Sequence, residues 1–169
     1  GGTQNVAIGN YAADALTSGD KNTAVGYNAL STLTSTENNT AVGADALLTC
    51  DGSNNTGIGT NALKLSTTGT QNVAVGHNAL TANTTASQNT AVGQESLKAN
   101  TTGTANVAVG AEALKANTTA DNNTAVGMNS LLANTTGAAN TGLGSHALAT
   151  VTTGSNNVAV GVNALTAAT

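Results

Sequence analysis

Residues 106–122 read Asn106-Val107-Ala108-Val109-Gly110-Ala111-Glu112-Ala113-Leu114-Lys115-Ala116-Asn117-Thr118-Thr119-Ala120-Asp121-Asn122, and Asn123-Thr124-Ala125-Val126-Gly127 then begins the same phrase again. Working outward, the pentapeptide Asn-(Thr/Val)-(Ala/Gly)-(Val/Ile/Leu)-Gly opens at Asn5, Asn22, Asn39, Asn55, Asn72, Asn89, Asn106, Asn123, Asn140 and Asn157. Consecutive openings lie 17 residues apart, except for 16 between Asn39 and Asn55, where the missing residue falls around Cys50-Asp51-Gly52-Ser53. The unit is N-T-A-V-G-x-x-A-L-x-x-N-T-T-G-x-x, with its asparagine as position 1. A fixed period in this range is the mark of stacked repeats.

Within the unit, the chemistry of each position is tightly held. Position 2 is β-branched throughout, from Val6 and Thr23 to Val158, and position 4 is always aliphatic, from Ile8 and Val25 to Leu143 and Val160. Position 5 is always Gly, and position 9 is Leu in every unit but the first, which has Ala13. Positions 2 to 4 are short, β-branched and flanked by Asn and Gly, which predicts a strand. Alternation then puts positions 2 and 4 on one face and positions 3 and 5 on the other. We expect the larger side chains of position 4 to point inward, so that Val92→Asp would strand a charge in a buried column. The face of Ala and Gly is expected to let another backbone approach closely. Positions 6 to 11, as in Ala111–Ala116, fit either a second strand or one helical turn, since periodicity cannot separate the two over so few residues. The Asn-Thr-Thr-Gly segment is read as a turn, with Gly there for positive φ.

The composition agrees with a thin, layered interior. Of 169 residues, 39% are apolar but only 1% aromatic, with no Phe or Trp. A thick core normally draws on aromatic area; here the apolar stock is Ala, Val and about one Leu per repeat. One unit cannot bury its Val and Leu alone. Stacked at about 4.8 Å spacing, ten units make parallel ladders and continuous aliphatic columns in a rod of about 48 Å. The fold expected is therefore all-β: a parallel β-solenoid, or β-roll, of ten 17-residue coils in one repeat domain spanning 1–169. The invariant Asn5, Asn22, Asn39, Asn55, Asn72, Asn89, Asn106, Asn123, Asn140 and Asn157 read as a structural ladder, because an amide both donates and accepts and stacks in register. The plainer reading is that each only supplies a turn before its strand.

Thr169 falls at position 13 and Gly1 at position 14, so a further copy would continue the pattern in phase. With no initiating Met and no polar capping sequence, we expect either an excerpt of a longer array or end-to-end joining of copies through bare strand edges.

The units Asn22-Thr23-Ala24-Val25-Gly26-Tyr27-Asn28-Ala29-Leu30 and Leu97-Lys98-Ala99-Asn100-Thr101-Thr102-Gly103 resemble the repeats of phage-type tail-fibre-domain proteins. Asn5-Val6-Ala7-Ile8-Gly9 is more loosely similar to the head repeats of trimeric autotransporter adhesins, where a Val-Ala-Ile-Gly strand recurs in each coil. The resemblance spans the whole chain. It implies an extracellular fibre or stalk, on a virion or cell surface.

Other functions find little footing. A net charge of -4 from 8 acidic and 4 basic side chains disfavours a nucleic-acid partner. No apolar run approaches the ~18 residues needed to span a membrane, so no membrane insertion is expected. A lone Cys50 has no disulfide partner and no nearby His to activate it. His77 and His146 sit in distant repeats, at positions 6 and 7, and are expected to be solvated. Asp14, Asp20, Asp45, Asp51 and Asp121 are too scattered for a calcium-binding roll. No catalytic residue, cofactor site or metal site is expected. The Asn-Xaa-Thr sequences at Asn38, Asn54, Asn83, Asn100, Asn117, Asn122 and Asn134 are formal glycan acceptors, a motif of low specificity. Rows of Thr at positions 13 and 14 could order ice only if flat, and neighbouring residues of an extended chain point to opposite faces. The expected function is structural, by self-association into a fibre. The alternative is an adhesion module whose variable positions 6 and 7 touch a host or glycan surface.

Overall fold

The computed structural model describes residues 1–166, so the phase of Thr169 and the end of the 1–169 domain lie outside the described residues. Each repeat contributes one three-residue strand from positions 2 to 4: β1 (Val6–Ile8), β2 (Thr23–Val25), β3 (Thr40–Val42), β4 (Thr56–Ile58), β5 (Val73–Val75), β6 (Thr90–Val92), β7 (Val107–Val109), β8 (Thr124–Val126), β9 (Thr141–Leu143) and β10 (Val158–Val160). They form one ten-stranded parallel sheet in chain order, β1 to β10. Equivalent positions pair directly, as in Val107↔Thr124, Ala108↔Ala125 and Val109↔Val126. The chain is an all-parallel β-solenoid of ten coils, as the period requires. The short coil keeps this register: Thr40 pairs with Thr56 across the deletion.

The inward face is the opposite of the one expected. Ala24, Ala41, Ala74, Ala91, Ala108 and Ala125 at position 3 are fully buried. Val25, Val75, Val92, Val109 and Val126 at position 4 are half-buried, and Ile8, Val42, Ile58, Leu143 and Val160 are exposed. The reason is thickness. A Cβ added at Gly57, at position 3, would lie 3.2 Å from both Leu47 Cγ and the Ala62 carbonyl oxygen on the facing wall. The interior is one side chain deep, and the position 9 leucines already fill it: Leu30, Leu47, Leu63, Leu80, Leu97, Leu114, Leu131 and Leu148 are all inaccessible to solvent. Only Ala or Gly fits opposite them.

Positions 6 to 11 are neither strand nor helix but a run of turns. Bonds such as Ala113 N–H to Gly110 O and Lys115 N–H to Glu112 O close three-residue steps within the coil. Others run between coils, such as Leu114 N–H to Ser130 O at 3.0 Å and Ala116 N–H to Leu132 O at 3.2 Å. This alternation needs left-handed residues, and positions 7, 9 and 17 take φ near +55° in coil after coil, as at Glu112, Leu114 and Asn122. Leucine resists that conformation by about 1–2 kcal/mol. Burying its side chain gains about 1.5–3 kcal/mol, so the interior outweighs the strain.

Nor does the glycine of the Asn-Thr-Thr-Gly turn adopt positive φ. The glycine that does is position 5, with φ from +124° to +136°. At Gly110, an added Cβ would also fall 2.6 Å from the backbone of Gly127 in the next coil. Both conditions exclude a side chain there.

Two substitutions separate the faces. Ala91→Leu forces extra carbons into a filled layer and is expected to lower stability by about 1–3 kcal/mol. Val92→Asp, pointing out of the coil, should cost the single chain about 1 kcal/mol or less. Urea unfolding followed by circular dichroism checks the pair; equal losses would refute the orientation.

Candidate functional site

The polar residues that the fold organises lie in columns along the axis. Position 17 is left-handed, so the position 1 N–H that follows cannot join the ladder of its own strand and needs another acceptor. The asparagine of the preceding coil supplies it. Asn22 N–H donates to Asn5 Oδ1, and the same bond repeats through Asn39, Asn55, Asn72, Asn89, Asn106, Asn123, Asn140 and Asn157 at 2.8–3.0 Å. The amide nitrogens turn the other way and donate to the carbonyl 13 or 14 residues on, as from Asn106 Nδ2 to Ala120 O at 2.8 Å and Asn39 Nδ2 to Gly52 O at 3.0 Å. Two depart from this: Asn123 Nδ2 has no partner, and Asn157 Nδ2 donates back to Asn140 Oδ1. From Asn5 to Asn106, and again at Asn140, one asparagine thus ties its own coil shut and fastens the next one to it. From Asn22 to Asn140 all are buried.

A second column lies at position 12. Asn100 Nδ2 donates to Asn83 Oδ1 at 3.0 Å, Asn117 Nδ2 to Asn100 Oδ1 at 2.9 Å, and Asn134 Nδ2 to Asn117 Oδ1 at 3.1 Å. Each also closes its own turn, as in Asn117 Nδ2 to Ala120 O. In the preceding coils Leu33, Cys50 and Ser66 fill the same place, and Val151 fills it beyond Asn134, whose Oδ1 is left buried and unpaired. Sequence reasoning missed this column because Asn-Thr-Thr-Gly reads so readily as an exposed turn. Its signal was the recurrence of Asn at one position over four consecutive units.

That column divides the formal glycan acceptors. Asn83, Asn100, Asn117 and Asn134 are fully buried with their amides committed, so in the folded solenoid they cannot carry a glycan. Asn38, Asn54 and Asn122 at position 17 are exposed.

The remaining candidates do not converge. His77 is exposed; His146 is half-buried, with Nε2 3.0 Å from Asn129 Nδ2 and Nδ1 2.9 Å from Ser145 Oγ. Cys50 is fully buried, and desolvation pushes its thiol up to about 11. Asp20 accepts from Thr3 and Asp45 from Lys64 and Asn28, and each carboxyl is held below its ordinary range by these bonds. Among the described residues no three His, Cys, Asp or Glu side chains come together as metal ligands, and no helix is long and apolar enough to cross a membrane.

On the outer surface, positions 7 and 10 carry a small charged network. Lys115 Nζ lies 2.7 Å from Glu95 Oε2 and 3.1 Å from Glu112 Oε2, while Lys98 Nζ lies 2.8 Å from Glu95 Oε1. It borders a shallow trough of about 690 Å³ floored by Ala82, Ala99, Ala116 and Ala133. The ammonium groups along its rim are already paired. Six Thr hydroxyls at position 13, those of Thr17, Thr67, Thr84, Thr101, Thr118 and Thr135, are also spoken for: Thr101 Oγ1, for example, donates to Thr118 O at 3.0 Å.

Comparison with models of protein families, with curated proteins and with solved structures finds no match to this chain.

The columns make two predictions. Asn106→Ala orphans the buried Asn123 N–H and leaves the Ala120 carbonyl with the Asn117 amide alone, and should lower stability by about 1–3 kcal/mol in urea unfolding. Val151→Asn, which offers a donor to the unpaired Asn134 Oδ1, should raise it by about 0.5–1.5 kcal/mol. A neutral result for both would remove the columns from the stability account. Separately, Lys115 and then Lys98 hold the Glu95 carboxyl down to about 2 from 4.5. A depressed carboxylate stabilises the fold at pH above its unfolded value and loses that contribution as pH falls toward the folded one, here between about 4.5 and 2. An NMR titration of Glu95 should show that low midpoint, and Lys115→Met should move it upward.

Proposed function

We propose that this chain is a structural segment of a fibre or stalk, working outside the cell or on a virion or cell surface, without catalysis or cofactor. One observation carries the reading: the asparagine rung repeats without a break from Asn5 to Asn157. The organised polar chemistry of the interior is spent along the axis, joining one coil to the next. Such an arrangement transmits length and stiffness, and solenoids of this shape are shared with tail-fibre and adhesin repeats. Self-association belongs to the same reading, since a sheet built by adding one in-register strand per coil can take up a further copy of the same repeat.

The adhesion reading draws on a different feature. Tyr11 and Tyr27 are 59% and 53% exposed, with ring centroids 6.0 Å apart in an edge-to-face pair. Exposed rings with an apolar face and a polar tip suit contact with a saccharide. That pair sits at positions 7 and 6 of the first two coils, within the variable segment.

The two readings part in one set of measurements. A fibre segment should appear as rods about 48 Å long per chain in solution scattering and give no hits on a glycan array. Saturable glycan binding that Tyr11→Ser or Tyr27→Ser abolishes would transfer the function to the adhesion reading.

A further inference from the structure

Positions 2 and 4 draw an aliphatic strip along the whole outer face of the sheet. Position 4 contributes Val, Ile or Leu in all ten coils and position 2 contributes Val or Thr, with no charged side chain at either. The strip is reached by solvent along its length: Val42, Ile58 and Leu143 are 36%, 39% and 46% exposed, and Val25, Val75, Val92, Val109 and Val126 are half-buried. Isolated apolar residues on a surface need no explanation. A continuous row of ten does, because patches this long on soluble chains mark interaction surfaces.

We propose that this strip is the surface on which a second copy of this chain packs side by side, which rests on the fibre reading above. Three observations select that occupant. The first is period. The side chains form ridges repeating once per coil, about 4.8 Å apart, and a second solenoid of the same coil meets every ridge along the full length. An irregular partner would match only a few. The second is charge. The 8 acidic and 4 basic residues all lie elsewhere in the repeat, so two strips meet without burying an unpaired charge. The third is area. A strip of about 48 Å by about 10–12 Å offers roughly 500–600 Å² per copy, or about 1,000–1,200 Å² for a pair, which reaches the lower bound of a specific interface. Arranged as a closed ring, in which each copy touches two neighbours, the contact grows further.

The face also accommodates the mixture at position 2, where four coils have Val and six have Thr. Both are β-branched and alike in shape, so either keeps the strip flat, and the hydroxyl is tolerated at an edge that stays partly wet.

The test is the mass of the full chain in solution, by light scattering and native mass spectrometry, between about 1 and 100 µM, a span that brackets interfaces of this size. The expected mass is a fixed multiple, two or more, of 16.2 kDa. The triple variant Val75→Lys, Val92→Lys and Val109→Lys should fall to the single-chain mass with an unchanged circular dichroism spectrum, because these side chains lie outside the coil. Thr119→Lys with Thr136→Lys, placed on exposed position 14, should keep the wild-type mass. Wild type at the single-chain mass, or a triple variant that keeps the wild-type multiple, overturns the proposal. So does growth that rises without limit and ignores the triple variant, which would mean end-to-end joining alone. A single-chain rod of full length would sink the lateral contact and leave the fibre reading intact; a compact particle would sink both.

Discussion

A coil of 16 or 17 residues cannot satisfy its own backbone. It encloses too little space for side chains to shield its peptide groups, and it has no second strand with which to pair them. Nearly every N–H that is not bonded within a turn reaches to a neighbouring coil: Val107 to Asn123, Gly110 to Val92, Glu112 to Gln94, Leu114 to Ser130, Thr118 to Thr135. Fastening to a neighbour is thus the condition for folding at all, and the rest of the repeat follows from it. In-register stacking places like above like, which selects residues that tolerate their own company. Asparagine does so by donating on one side and accepting on the other, leucine by dispersion contact, glycine by leaving room.

The same constraint sets the thickness of the interior. Coils fastened on all sides draw close to a minimal cross-section, with room for a single layer of leucine against alanine. Polar columns enter that layer without penalty where each member is paired, and the run from Asn83 to Asn134 shows how far such a column extends before a Val ends it. Where the pairing stops, a buried oxygen on Asn134 goes without a partner.

Much of this could be read from the chain. The period, the strands at positions 2 to 4 and the parallel order follow from repetition and from residue type. The Asn at position 1 carried its own signal, because no other residue replaces it. What could not be read was the direction of the strands' faces. Size suggested that Val and Ile belong inside and Ala outside, yet size ranks candidates for burial only when the interior can hold them. The leucine opposite decides the matter, and it lies in the turn segment, the part that local pattern could not resolve. The left-handed positions were half legible. Asn28, Asn61, Asn78, Asn129 and Asn163 at position 7 are what such a backbone prefers, but Leu at position 9 is not, and only its burial explains it. What the structure adds is the strip.

The shortened third coil carries a consequence of its own. Dropping a residue after Asp51 shifts none of the fastenings: Asp51 N–H still reaches Thr67 O, and Asn39 still closes on Gly52. One corner of the rod therefore absorbs a change in chain length that the other sides could not. An array whose units tolerate indels at a single vertex, and whose joints involve only nearest neighbours, can lengthen, shorten or display new loops by small genetic steps. Variation in length falls at one edge while the shaft keeps its geometry.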